Sequence, residues 1–548
     1  MKTRNNKETR ISIAVTVAAA AFCLLPGSAL AKKPAAASPF EPDPAKLEAL
    51  GKAIFFDTNM STPGNKQGCV SCHDPRVGWT FPDSEINAVQ VVNPGAKPHA
   101  TGLVKPPTIA YAAFVEPFHR CNSGVPRHCG GLFWDGRAEG WGLLARDDDN
   151  VTGPIGKNVS ETVMLADLPM AVHGVYAQFL GPLADQALNP AQKGIEQNAG
   201  EKKVCQRAKT APYKALYEEA YGEKIDCGAK PKDNPAYSTA FKRIAVAIAA
   251  YEKSAEVNPF SSPRDIALYR ELACLWNDDN SVWAEYRDYY NASVCAAEEK
   301  SNWGEFPLAG LKELTEERLN ITLNADPNWG HDIFYGSKSP GSDKRSADGA
   351  CWNCHADKPG IDTGVEPRQL YAESSYHNIG TPFNREIPGV GFGQITGLAG
   401  HMPEGGRFGA PGSVTPEGSF RTPTVRDVDK RMGPDFVKAY AHNGYFKSLE
   451  GIVHFYNTAR SRLADLNDPD SGLVATPTCE SLGIVHATEA EALGPNWQAT
   501  GVAQCWPARE FTQFVGFNIG QLGLTLDEEA AIVAYMQTLT DTVVVEAP

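Results

Sequence analysis

The chain of 548 residues holds 50 glycines and 40 prolines and carries a formal charge of −14 at pH 7. A chain of this length can bury two or more cores, and an acidic one is a poor partner for nucleic acid. Its 13 cysteines suit an exported chain, where disulfides form and persist.

Lys2, Arg4, Lys7 and Arg10 flank an apolar run from Ile11 to Leu25, and Ala29-Leu30-Ala31 follows, so residues 1–31 read as a secretory leader removed on export to the periplasm or beyond. The leader holds four basic residues and one acidic one, which leaves −17 on the mature chain. No later run reaches about 18 apolar residues, so a membrane span is not expected in the mature chain. Residues 32–44, rich in Ala and Pro, form a flexible lead-in. A helix is expected from Ala45 to Phe56, with Leu47, Leu50, Ala53 and Ile54 on one face.

Cys69-Val70-Ser71-Cys72-His73 comes next and recurs as Cys351-Trp352-Asn353-Cys354-His355. Cys-x-x-Cys-His is the attachment pattern of c-type haem: two thiols bond to the porphyrin vinyl groups, and the histidine ligates the iron. Two copies imply two covalently bound haem c groups, with His73 and His355 as proximal ligands. A zinc knuckle would need a second Cys or His pair nearby, and a thioredoxin-type pair a βαβ context; neither surrounds these motifs.

The other cysteines beyond the leader are Cys121, Cys129, Cys205, Cys227, Cys274, Cys295, Cys479 and Cys505. An even remainder in an exported chain argues for disulfides, of which neighbour pairing (121–129, 205–227, 274–295, 479–505) is the simplest of many connectivities. From His73 to Pro107 the chain reads as loop, and from about 160 to 320 mostly as helices, Phe241 to Tyr251 being the clearest. The Gly- and Pro-rich stretch from His355 to Arg421 suits irregular backbone around a cofactor. Ser448 caps a helix through Thr458, and Thr525 with Glu528 makes a capping box for one through Leu539. Strand signals are few and short, and no internal repeat is evident beyond the haem motifs.

The landmarks Leu50-Gly51-Lys52-Ala53-Ile54-Phe55-Phe56-Asp57, Phe133-Trp134-Asp135-Gly136-Arg137-Ala138, Tyr376-His377-Asn378-Ile379-Gly380, Phe420-Arg421-Thr422-Pro423-Thr424-Val425-Arg426, His442-Asn443-Gly444 and Leu524-Thr525-Leu526-Asp527-Glu528-Glu529 occur in this order. In them the chain resembles the bacterial di-haem cytochrome c peroxidase and MauG superfamily. The resemblance covers most of 45–170 and 345–540, whereas the middle section, including Cys205 to Cys295, is longer than the family minimum. It implies a mainly α fold of two cytochrome c-like haem domains with extensive loops and few short strands. Residues 45–320 would form the N-terminal peroxidatic domain with a long helical insertion, and 321–548 the C-terminal electron-transfer domain.

The resemblance also implies site residues. Trp134 matches the tryptophan between the two porphyrins and would carry electrons. Counted from His442-Asn443-Gly444, the axial methionine of the peroxidase branch falls on Tyr456, where MauG has a tyrosine ligand; Met402 is the fallback methionine. A distal glutamate follows a Gly-Pro-Ile segment in the family, and here Gly153-Pro154-Ile155-Gly156 leads to Ser160 at the matching position and Glu161 one residue later as acid/base. His99 stands near, but offset from, the removable distal histidine of reductively activated peroxidases. The family's calcium is put in doubt by Lys105 at the position of its asparagine ligand and by six extra residues between Arg426 and His442.

The function so implied is an exported di-haem peroxidase that reduces hydrogen peroxide with electrons from a small cytochrome or copper protein, relayed through Trp134. The alternatives are a MauG-like enzyme oxidising Trp or Tyr residues of a protein substrate, and a non-catalytic di-haem electron carrier.

Overall fold

The computed structural model describes residues 43–548 except 65, 122–126, 141–180, 229–235, 276–307, 309, 337–347, 357–367, 390–417, 460–475 and 512–518. Its first helix, α1 (Pro44–Phe55), starts where Asp43 accepts a hydrogen bond from the Ala45 amide and Pro44 presets the first turn. Leu47, Leu50, Ile54 and Phe55 are buried along its inner face. They pack with α2 (Gly181–Ala187), α3 (Gly200–Thr210), α4 (Lys214–Tyr221) and α5 (Ala236–Glu252) into one apolar core drawn from residues between 47 and 257.

After α6 (Pro263–Leu275) and α7 (Leu311–Leu319), a second core forms around α8 (Pro327–Tyr335), α10 (Leu449–Thr458) and α11 (Leu526–Gln537), with the short α9 (Trp352–His355) between them in sequence. The expected caps are present: Ser448 accepts from the Gly451 amide, and Thr525 and Glu528 form a reciprocal capping box. Described strand is confined to two antiparallel pairs, β1 (His119–Cys121) with β2 (Arg127–Cys129) and β3 (Tyr376–His377) with β4 (Phe420–Arg421). The mainly α expectation therefore agrees with what is seen.

Contrary to the sequence reading, the repeat extends well beyond the haem motifs. In the first core, a Cβ on Gly51 of α1 would lie 1.9 Å from the Ala247 carbonyl oxygen of α5; in the second, a Cβ on Gly330 of α8 would lie 1.9 Å from that of Ala531 in α11. Each pair thus crosses at a glycine because only a residue without Cβ permits that approach. The partner helices carry matching sequences, Ala247-Ile248-Ala249-Ala250-Tyr251 and Ala531-Ile532-Val533-Ala534-Tyr535. The glycine helices match too, in Gly51-x-x-Ile54-Phe55-Phe56 and Gly330-x-x-Ile333-Phe334-Tyr335.

Candidate functional site: two histidine motifs and a tryptophan seam

The first motif occupies a single 3-10 turn, Cys69–Ser71, whose backbone bonds place His73 against a cavity. His73 Nδ1 lies 3.1 Å from the Trp79 carbonyl oxygen. Donation there fixes the tautomer and leaves Nε2 as a lone-pair donor, the form a metal requires. Burial pushes the imidazole down to about 4, so it is neutral. The cavity is lined by Cys69, Cys72, His73, Trp134, Glu196 and Glu252, among others.

The second motif repeats this arrangement. His355 Nδ1 lies 2.9 Å from the Tyr371 carbonyl oxygen, and burial lowers its affinity for a proton as well. The supporting loops match: Thr108 Oγ1 donates to the Gly78 carbonyl at 2.8 Å, and Thr424 Oγ1 to that of Leu370 at 2.6 Å. Tyr456 sits on α10 as expected, with Leu449 and Val453 buried on the same side. Burial pushes its phenol up, and the thiols of Cys354 and Cys351 are near enough to add to the shift. That phenol therefore ionises only with a compensating positive charge, such as a ferric centre.

Cysteine chemistry separates the two kinds of role. Cys205–Cys227 and Cys479–Cys505 are disulfides and Cys129 is also disulfide-bonded, whereas Cys69, Cys72, Cys351 and Cys354 are free thiols. Two pairs of free thiols, each followed by a histidine with a fixed tautomer, fit two covalently attached haem c groups. Cys274 and Cys295 bear no described side chains.

Trp134 lies on the seam between the repeated segments. Its indole N–H donates to the Lys105 carbonyl at 2.8 Å, and its own carbonyl accepts from the Arg421 amide at 2.9 Å. Lys105 precedes Pro107-Thr108 by two residues and Arg421 precedes Pro423-Thr424 by two, so the pair occupies equivalent places in the repeat. The Lys105 amide donates to the His442 carbonyl at 2.9 Å, and the His442 ring meets the indole edge-on at 6.3 Å between centroids. His442 Nε2 in turn lies 2.8 Å from Glu510 Oε2. Lys105 is buried, which lowers its ammonium to about 8.

The remaining expectations fare differently. His99 is exposed, at φ +63°, and does not line the cavity. Glu161, Ser160 and Met402 lie outside the described residues. Glu196, not singled out from sequence, enters the cavity with its pKa raised by burial against the opposing pull of Arg137 and Lys193. Glu252 is buried at the end of the α5 stripe Phe241, Ile244, Ile248, and burial raises it to about 8. The residues around Lys105 do not fit calcium: its ammonium and that of buried Lys438 are near enough to repel, and both oppose a divalent cation.

Comparison with known proteins places this geometry. Residues 45–271 match the family model of di-haem cytochrome c peroxidases, a match that takes in α3 to α5 and the Cys205–Cys227 disulfide of the middle section. The methylamine utilization protein MauG of Paracoccus denitrificans (strain Pd 1222) is 26% identical over 528 residues, 95% of each chain. The diheme peroxidase BthA from Burkholderia thailandensis E264 superposes with a TM-score of 0.52 at 22% identity, covering 92% of this chain and 87% of its own. Among the described residues no helix is long and apolar enough to cross a membrane. Residues 45–271 thus match the di-haem cytochrome c peroxidase family, and with its two Cys-x-x-Cys-His motifs and their repeated surroundings the chain is similar to MauG along nearly its whole length.

Proposed function

We propose that the protein is an exported di-haem peroxidase that reduces hydrogen peroxide with electrons from a small cytochrome or copper protein. Trp134 is the relay between a first haem domain (45–320) and a second (321–548). The observation that carries this reading is the placement of Trp134. It lines the cavity that holds His73 and is hydrogen-bonded to both repeated segments, through Lys105 on one side and Arg421 on the other. Haem c, once attached to Cys69 and Cys72 and to Cys351 and Cys354, supplies peroxide cleavage and one-electron transfer. His73 and His355 hold the irons, and Tyr456 offers a phenolate to the second.

Glu196 supplies and accepts the proton in the first cavity, a task suited to a carboxyl whose pKa burial has raised. The indole N–H stays bonded to a carbonyl oxygen, which is not a base, so Trp134 passes electrons and keeps its proton. A formal charge of −17 on the exported chain suits a basic donor protein. A second reading, oxidation of Trp or Tyr residues in a protein substrate, is favoured by Tyr456 lying close to Cys351 and Cys354, because a phenolate stabilises more highly oxidised iron than a thioether does.

The test is stopped-flow absorbance after peroxide is added to the fully ferric protein without reductant. His99 lies away from the cavity, so the first reading expects an immediate reaction that Trp134→Phe slows in its later phase. A product that persists and is discharged by a protein substrate, but not by a small redox protein, favours the second reading. No reaction in either the ferric or the half-reduced protein supports the electron carrier.

A further inference from the structure

We propose that Lys105 is a positioning residue that fixes a positive charge beside Trp134 and thereby keeps the indole a transit point, not a resting place, for oxidising equivalents. The inference rests on the reading of Trp134 as the relay. It comes from the geometry of one residue that touches the indole in two ways.

The backbone carbonyl of Lys105 accepts the indole N–H at 2.8 Å, which sets the ring's orientation. The side chain then returns, placing Nζ 6.0 Å from the centre of the same ring. That ammonium is buried, and its described hydrogen bond is a long one, 3.3 Å to the Pro106 carbonyl. Lys438 and Arg421 are buried too, the Arg421 amide bonding the Trp134 carbonyl, while the buried Glu510 carboxylate is engaged by His442 and Asn443. A cation near a neutral indole is mildly attractive, whereas a cation near an indole radical cation is repulsive.

The step is a one-electron loss. Hydrogen peroxide takes two electrons and two protons to become two waters. When one of those electrons is drawn from Trp134, the indole is left as a radical cation with its proton still on Nε1, and one electron from the donor protein restores it. A unit charge 6.0 Å away, at an effective dielectric constant of about 20, disfavours that radical by about 100-fold in equilibrium constant. The oxidising equivalent is therefore not held on the indole, and the tryptophan is spared irreversible oxidation.

The experiment compares wild type with Lys105→Met, Lys105→Gln and Lys105→Arg, each confirmed to carry two haems per chain and an unchanged ferric spectrum. After one equivalent of peroxide, freeze-quench electron paramagnetic resonance measures the indole radical, and peptide mass spectrometry measures oxygen added to Trp134. The neutral variants are expected to raise the ratio of radical to parent indole by about 100-fold, Lys105→Arg to match wild type, and Lys105→Met with Trp134→Phe to show no radical. Two neutral variants are carried so that misfolding of one leaves the comparison intact. Wild-type radical levels in both, while Trp134→Phe alone alters the decay, would overturn the role of Lys105 and leave the relay standing. The same levels with a Trp134→Phe protein indistinguishable from wild type would overturn both.

Discussion

At the scale of single residues, the first cavity sets an acidic group against cations and an oxidisable ring. Glu196 is half-buried there, and desolvation holds its proton to higher pH than a surface glutamate would. A carboxyl so tuned can donate to one peroxide oxygen and take a proton from the other, which an amide of the same shape cannot. Glu196→Gln is therefore expected to slow the peroxide reaction roughly 100- to 10,000-fold in stopped-flow absorbance. It should also abolish the acid limb of the pH profile while haem content stays at wild-type level. An unchanged rate would return the role to Glu161. Glu196 escaped the sequence reading because its signal is tertiary: nothing next to it in the chain marks a catalytic carboxyl, and only the fold brings it beside Cys72 and Arg137.

At the scale of elements, the molecule is built twice from a glycine-crossed helix pair that carries a haem motif on the following loop. Gly51 and Gly330 are the points where this is enforced, since an added Cβ would sit 1.9 Å from a backbone oxygen in each case. Backbone cannot yield as a side-chain tip can, so Gly51→Ala should separate α1 from α5 and cost about 3 kcal/mol. Gly330→Ala should do the same to α8 and α11. Denaturant unfolding monitored at the haem band checks this, and each variant is expected to lower retention of the haem in its own half first. The two motifs, the caps at Ser448 and Thr525 and the α5 helix were legible in sequence, because each is a local pattern with a local cause. The wider repeat was not, because its landmarks are short and the chain between them changes length from one copy to the other. Lys105 was legible only as a departure from a pattern; that its charge is buried against Trp134 depends on the seam.

At the scale of the whole molecule, the two cores are joined by a buried polar seam as well as by Trp134. Arg426 donates to both carboxylate oxygens of Asp265 at 2.7 and 2.8 Å, with both side chains buried. Beside them, Tyr111 donates to Asp541 Oδ2 at 2.5 Å, and the Asp541 amide donates to Asp427 Oδ1 at 2.7 Å. One network thus ties the segment after the first motif, α6, the Thr424 loop and the chain's final residues. Burying such a pair contributes little net stability, because desolvation offsets most of the attraction, but removing one partner leaves the other as an uncompensated buried charge. Asp265→Asn keeps the shape and removes the carboxylate, so it should cost roughly 3–5 kcal/mol. Since the loss falls on the seam and on neither core, calorimetry of the two-haem protein should turn one cooperative unfolding transition into two. Electron transfer between the halves should slow while haem content stays at two per chain. A single, merely lowered transition would show that the apolar contacts between the cores, and not the Arg426–Asp265 pair, couple them.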